Sequence, residues 1–487
     1  MKPEQYPTEP KHIWEHFYQI TQIPRPSGKE SAMREYIIDL AAQQQLETRQ
    51  DGAGNLVVYV PASPGCEQAE TVAIQNHLDM VTVKTAETEH DFATDALKLR
   101  VDDGWLKATG TTLGADNGVG VAAALAVMTD DSVIHPALEL VFTVEEETGL
   151  YGASGFDAAM LSARRLLNLD TEDWGELYIG CAGGYGYEAS RQVMPKLAKP
   201  GYKGWKLHLK GLSGGHSGVQ IHEQLGNANK LLAEFLMEVR DLHWQLKNFN
   251  GGVAHNVIPR EASAIVLLSE EELPQWREKI DGACTRWLSF LPKADHELEM
   301  LFEPVELQHP LVVGSADTEA FLNLISIIPH GAQCYNLNQP ADLVDLSCNT
   351  AVVELGNGEL KIQASLRFFN EHQAYGLKQT FESIFDSFQL VYKVILDYPG
   401  WNPNFESPIV ARTKALAEQQ TGKTVAIKAI HAGLECGILL SKKPDMDVVS
   451  FGPTILGAHS PSERLSIETI EPFWTLLLAL LTDLTKS

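Results

Sequence analysis

Cysteine is sparse in this chain. Its six cysteines, Cys66, Cys181, Cys284, Cys334, Cys348 and Cys436, form no C-x-x-C pair and show no zinc-finger spacing. That argues against a cysteine-held zinc and suits a reducing compartment. Positive charge is also short: 38 Lys and Arg face 64 Asp and Glu, a formal net charge of -26. Such a surface repels phosphate backbones, so no nucleic-acid partner is expected. Long apolar runs are missing. The longest, Phe473 to Leu484, is about half of the ~20 residues a membrane span needs and reads as a buried helix, so no membrane partner is expected. The stretch from Met1 to His12 is polar without an apolar signal core, and a cytoplasmic location is expected. There is no internal repeat and no low-complexity segment. What remains is ordinary globular composition, 44% hydrophobic and 21% charged over 487 residues, enough for two or three domains.

The first third alternates between strand and helix patterns. Ser31 to Gln45 reads as an amphipathic helix, and Gly118 to Met128 as a helix of small residues. Asn55 to Val60, Thr71 to Gln75, Ala137 to Thr143 and Arg165 to Leu169 read as short buried strands. Alternation of this kind argues for an α/β layer with a mixed or parallel sheet. The character changes near Gly183 to Pro200, after which strands are expected at Trp205 to Lys210 and Ser263 to Leu268. Helices are expected at Gly226 to Arg240, Leu273 to Ser289 and Ala374 to Phe388, and a hairpin turning at Asn357-Gly358. This is the pattern of a second, α+β domain at 187–398, inserted into a discontinuous catalytic domain of 1–186 and 399–487. Tyr398 to Pro403 is the expected return linker.

Four polar clusters stand where strands end or helices open: Asn76 to Asp79, Gly114 to Gly118, Glu145 to Glu147 and Asp170 to Glu172. In open α/β sheets, sites collect beyond the carboxyl ends of the strands. Histidine and carboxylates delivered to one sheet edge are the material of a metal site. His77 and Asp79 stand two apart, a spacing that lets a carboxylate fix the tautomer of a metal-binding histidine. Taken singly, each cluster has an ordinary structural reading: Asp116 as a helix cap, the glutamates as a solvated loop, Asp170 as a turn residue, His459 as an inert loop histidine.

Together they carry a resemblance. QNHLDMV (75–81), GTTLGADNGVGVA (110–122), EEETG (145–149), LNLDTE (167–172), GCAGG (180–184) and LKGLSGGHSG (209–218) occur in this order. FNGGVAHNVIPREA (249–262), HAGLECG (431–437) and GAHSPSERL (457–465) follow. Across nearly the whole chain this is similar to the di-zinc peptidases that include aminoacylases, carboxypeptidase G, carnosinases and the bacterial aminoacyl-histidine dipeptidases. The resemblance implies a zinc-exopeptidase-like α/β catalytic domain, with a mixed sheet flanked by helices, and an inserted α+β lid.

The family's roles, carried over residue by residue, imply two Zn²⁺ ions. His77 and Asp170 would hold one, Glu146 and His459 the other, with Asp116 bridging; Mn²⁺ or Co²⁺ accept similar ligands. The resemblance makes Glu145 the general base, Asp79 the residue that orients His77, and His216 the partner of the oxyanion. It makes Asn256, Arg367 and Glu435 substrate-binding, with Arg367 suited to a terminal carboxylate. Glu147 adds a third acid to the usual pair, and the alignment takes Glu145 and Glu146 because they directly follow the strand. The histidines at 12, 16, 90, 135, 208, 222, 243, 296, 309, 330 and 372 match no family position and read as structural or surface.

The implied activity is hydrolysis of small dipeptides with a free N-terminus, including Xaa-His dipeptides such as β-alanyl-histidine. Closure of the lid would exclude water and favour dipeptides over long peptides. The alternative on the same scaffold is an N-acyl-amino-acid amidohydrolase. A metal-binding protein without catalysis would not need Glu145, and a two-metal phosphatase or nuclease would need a basic cluster that the chain does not have. Relatives often pair through the lid, so a homodimer is an expectation from the resemblance, which leaves open whether His216 serves its own subunit or a partner.

Overall fold

The computed structural model describes residues 2–307, 311–336 and 343–486, which leaves His309 outside the described residues. The chain divides into two compact units. One comprises Met1–Cys181, Trp401–Ala429 and Leu434–Ser487; the other comprises Ala182–Gly400 and Ile430–Gly433. The divisions fall at 181/182 and 400/401, against the expected 186/187 and 398/399, and the four residues Ile430–Gly433 were not set apart by any sequence pattern.

The first unit is built on an eight-stranded sheet. Its order is Glu47–Gln50, Leu56–Val60, Leu138–Thr143, Val72–His77, Arg165–Asn168, Asp447–Ser450, Glu176–Cys181, Ala426–Ile430. The four consecutive strands from Leu138–Thr143 to Asp447–Ser450 pair in parallel, and Leu56–Val60 and Glu47–Gln50 join antiparallel, so the sheet is mixed. Val72–His77 and Leu138–Thr143 are buried at every position, as central parallel strands covered on both faces must be. Ala115–Thr129 is the helix that packs on Val72–His77 and on the helix Lys11–Thr21. Its run of Ala, Val, Leu and Gly leaves no polar face, which fits a helix enclosed on all sides. The C-terminal helix Ile470–Leu484 buries Phe473, Leu477, Leu480 and Leu484. Among the described residues no helix is long and apolar enough to cross a membrane.

The second unit holds a nine-stranded antiparallel sheet. Its main path runs Glu299–Val305, Lys203–Lys210, Ala262–Leu268, Trp244–Gly251, Val344–Gly356, Glu359–Phe368, Gly183–Gln192, Val391–Tyr398. The helices Ala228–Glu238, Leu273–Leu288, Ser315–Ile327 and Glu371–Ser387 contribute to a core around Trp276, Trp287, Phe235, Phe249, Phe321 and Phe381. The Asn357-Gly358 hairpin is a two-residue turn with φ of 52° and 86°. Both central residues are left-handed, the requirement of a type I′ turn, and Asn and Gly tolerate it best. Gly183–Gln192, expected only as a change of character, is an interior strand of this sheet.

Candidate active site

Four parallel strands deliver the polar clusters to one edge. His77 is the last residue of its strand. The acids Glu145 to Glu147 follow Leu138–Thr143 after one intervening valine. Asp170 follows Arg165–Asn168, and the His459 loop follows Asp447–Ser450. Asp116 sits in the first turn of Ala115–Thr129, where φ and ψ of -78° and 112° depart from a helix and the Asp116-Asn117 peptide is cis.

Asp116 turns its two oxygens in different directions. Oδ1 lies 3.1 Å from His77 Nε2, and Oδ2 lies 3.2 Å from His459 Nε2. His77 Nε2 is also 3.3 Å from Asp170 Oδ1, and His459 Nε2 is 3.0 Å from Glu147 Oε2. Among the described residues, three sets bring ligand atoms within 4.8 Å of one another: His77, Asp116 and Asp170; Asp116, Glu147 and His459; and His77, Glu146 and Glu147.

The expected register of the three glutamates is therefore corrected by one residue. Glu147, not Glu146, stands against His459, and Glu145 belongs to none of the three sets. The physical reason is the turn after the strand. Glu145 takes a left-handed φ of 50° and gives its N–H to Glu30 Oε1 at 3.1 Å. The next two N–H groups, of Glu146 and Glu147, donate to Asp79 Oδ1 and Oδ2 at 3.1 and 3.2 Å. Strand continuity stops at Thr143, so counting from the strand end misplaces the pair.

Asp79 is fully buried, with Oδ1 3.3 Å from His77 Nδ1 and Oδ2 accepting from Ser27 Oγ at 2.7 Å. One carboxylate thus touches the histidine and ties down the glutamate turn. Asn117 Nδ2 donates to Asp170 Oδ1 at 2.5 Å and to the Leu169 carbonyl at 2.8 Å. Glu435, at the start of the helix Glu435–Lys442, is fully buried; its Oε2 accepts from Gln75 at 2.6 Å and Thr143 at 2.5 Å, and its Oε1 has no hydrogen-bond partner among the described residues.

The charges show what this arrangement asks for. Burial raises the Glu146 carboxyl well above the usual range, and Glu147, Asp170 and Glu435 raise it further while His77 opposes. Burial also lifts Asp170 to about 6, Glu172 to about 8 and Glu435 to about 8, each against histidine and with neighbouring acids adding to the rise. Hydrogen bonds to Asp116 and Glu147 raise His459 to about 11. Burial disfavours a charged His77, but Asp170, Asp116 and Asp79 outweigh it and raise the imidazole. Acids so crowded and dry repel one another, and mixed nitrogen and oxygen donors with no thiolate are a fitting set for divalent cations.

The remaining expected residues lie in the second unit. His216 pairs with Val257 across a short ladder, and the Asn256 carbonyl accepts the Ser217 N–H at 2.8 Å. Arg367 is buried, with Nη1 donating to Tyr398 Oη at 3.3 Å and Nη2 3.5 Å from His216 Nε2. His431 Nε2 is 2.7 Å from Ser347 Oγ.

Adjoining groups of histidine and carboxylate that could hold metal ions are what this geometry brings together. The chain matches the model of peptidase family M20/M25/M40 over residues 73–483 and belongs to that family. It is 37% identical over 481 residues to the cytosol non-specific dipeptidase of Escherichia coli strain K12, covering 98% of both chains. The crystal structure of aminoacylhistidine dipeptidase from Vibrio alginolyticus is similar, with a TM-score of 0.85, 35% identity, and 98% of this chain and 97% of that one covered. A Staphylococcus aureus tripeptidase, at a TM-score of 0.56 and 15% identity, shares the fold.

Proposed function

We propose that this chain is a two-metal dipeptidase acting on dipeptides with a free N-terminus, Xaa-His dipeptides such as β-alanyl-histidine among them. The observation that carries the reading is Asp116, with one oxygen toward His77 and the other toward His459. Family membership and the two dipeptidase relatives support the substrate class. The cytosolic relative supports a cytosolic location.

His77 and Asp170 would hold one ion, Glu147 and His459 the second, and Asp116 both. Zinc suits these donors, and Mn²⁺ or Co²⁺ would be accepted. Two such ions, when bound, polarise a peptide carbonyl and acidify water at neutral pH. With the ligand role passing to Glu147, the general base is Glu146: it takes the proton of the attacking water and passes it to the departing amine. Asp79 holds His77 in place and fixes the turn that presents Glu146 and Glu147. In the second unit, His216, Asn256 and Arg367 are assigned to substrate contact, with Arg367 toward a carboxylate. Glu435 is assigned to the substrate site through Oε1, which has no hydrogen-bond partner among the described residues. Pairing of two copies through the second unit is supported by its edge strand Val391–Tyr398, which exposes Val391, Val394 and Ile395.

The experiment is chelation, return of zinc, and assay of a dipeptide panel that includes β-alanyl-histidine, with Glu146→Gln and Glu145→Gln alongside. Activity restored by zinc in the wild type and in Glu145→Gln, and absent in Glu146→Gln, supports the reading. Cleavage of N-acyl amino acids in place of dipeptides would replace the substrate class. Full activity in Glu146→Gln would remove it as the base.

A further inference from the structure

Two buried charges grip the loop that presents Asp116. Glu463, 2% exposed, gives both its oxygens to the backbone. Oε2 accepts from the N–H groups of Leu113 and Gly114 at 2.6 and 2.9 Å, and Oε1 from those of Ala115 and Asp116 at 2.7 and 3.4 Å. Arg25, also 2% exposed, donates through Nη2 to the Gly114 carbonyl. Its Nη1 donates to the carbonyls of Leu78 and Asp79 at 2.8 and 2.6 Å. Gly114 is therefore held on both sides of its residue, and the guanidinium joins the Asp116 loop to the turn that follows His77.

Two glycines make room for this. Gly114 has a φ of 64°, and a Cβ there would lie 2.5 Å from Arg25 Nη2; a Cβ on Gly118 would lie 2.7 Å from the same atom. Burying a charge is expensive, and apolar side chains can stabilise a loop as well. What a carboxylate bonded to successive amides and a planar guanidinium add is direction.

We propose that Arg25 and Glu463 are positioning residues that hold Asp116 and His77 at a fixed separation, so that both metal-holding sets are assembled before any ion arrives. The proposal rests on the two-metal reading of the site. Residues that orient metal ligands typically change affinity by about 10–100-fold when replaced.

The test compares wild type, Arg25→Lys and Glu463→Gln in three measurements: zinc stoichiometry and affinity by competition with a chromophoric chelator, amide hydrogen exchange in the metal-free proteins, and kcat and KM. The proposal expects zinc affinity to fall about 10–100-fold. It expects faster exchange confined to residues 113–116 and to the turn after His77, and a fall in kcat with little change in KM. If Glu463→Gln does not fold, Gly118→Ala, which crowds the guanidinium, takes its place in the same measurements. Variants that bind zinc as tightly as wild type overturn the proposal. So does faster exchange spread evenly over the first unit, which would mark a purely structural role. Wild type that binds no zinc would remove the two-metal reading itself, a result distinct from wild type and variants binding two ions equally well.

Discussion

His459 Nε2 lies 3.0 Å from Glu147 Oε2, closer than to any other acid it is paired with. Three glutamates in a row thus have three different surroundings. Glu147→Gln is expected to reduce bound metal from two ions toward one and to lower activity in step. Glu146→Gln is expected to keep both ions and to lose about 10²–10⁴-fold in kcat, the usual worth of a general base. Glu145→Gln is expected to change neither. Metal analysis and kinetics on the three variants separate the roles, and metal loss in Glu146→Gln with none in Glu147→Gln would restore the register first expected.

Ion binding is expected to expel protons and to stabilise the fold. Without cations, burial holds Asp170 at about 6 and Glu172 at about 8, so part of the acidic cluster carries protons near neutrality. Cations displace those protons. Zinc added in weak buffer should release protons, more per ion at pH 6 than at pH 9, where Asp170 and Glu172 are mostly ionised. A ligand at 100 times its Kd stabilises by about 2.7 kcal/mol, so Tm should rise with free zinc. Zinc that leaves both pH and Tm unchanged would count against the centre.

Much of the site was legible in the sequence because strand ends and helix starts punctuate it. His77, Asp116, Asp170 and His459 each follow a strong apolar run or open one, and the structure brings their ligand atoms together. The glutamate register was not legible, because a left-handed residue after the strand is invisible to periodicity. Arg25 and Glu463 were missed for a different reason. Their partners are backbone groups, which leave no pattern in side-chain identity, although Glu463 lies inside the GAHSPSERL segment. In the second unit, Gly183–Gln192 was missed as a strand because its glycines blur the alternation expected of a sheet residue run.

Acid is expected to weaken both units before it titrates their carboxylates fully. Burial, with His12 adding to it, lowers His16 to about 4, and burial together with Arg367 and His216 lowers His431 to about 3. Both are neutral in the fold, bonded to Thr129 Oγ1 at 2.8 Å and Ser347 Oγ at 2.7 Å. An unfolded histidine titrates near pH 6.5, so their stabilisation is whole above that pH. It is lost as pH falls, levelling off near pH 4 for His16 and near pH 3 for His431. The slope for each is at most on the order of 1.4 kcal/mol per pH unit. Denaturant melts from pH 7 to 4 should show it, and His16→Gln and His431→Gln should each flatten the dependence.

Trp276 separates apolar packing from hydrogen bonding in the second unit. It is fully buried against Phe235, Trp244 and Phe302, with ring centroids 5.6, 5.8 and 5.7 Å away, and its Nε1 has no hydrogen-bond partner among the described residues. Trp276→Ala should destabilise by about 3–5 kcal/mol through the cavity it leaves. Trp276→Phe removes an unsatisfied donor along with some volume, and should cost clearly less. Equal losses in the two variants would mean that the indole N–H is bonded in solution.

Three donors face His216. Nδ1 faces the N–H groups of Val219 at 3.1 Å and Gly218 at 3.3 Å, both of which can only donate. Nε2 faces Arg367 Nη2, another donor, at 3.5 Å. A neutral imidazole accepts at one nitrogen only, so the two demands conflict. Two closer amides against one distant guanidinium favour a proton on Nε2. With its proton on Nε2, His216 would be a donor, the form that the proposed contact with a developing oxyanion requires. His216→Ala should then lower kcat by about 10²–10³-fold, the worth of one such donor, whereas His216→Gln, which keeps an N–H₂ group, should recover part of it. Nitrogen-15 chemical shifts of the ring would show the tautomer directly. A protonated Nδ1 would reverse the argument, because His216 would then offer the guanidinium a lone pair and have no Nε2 proton to give.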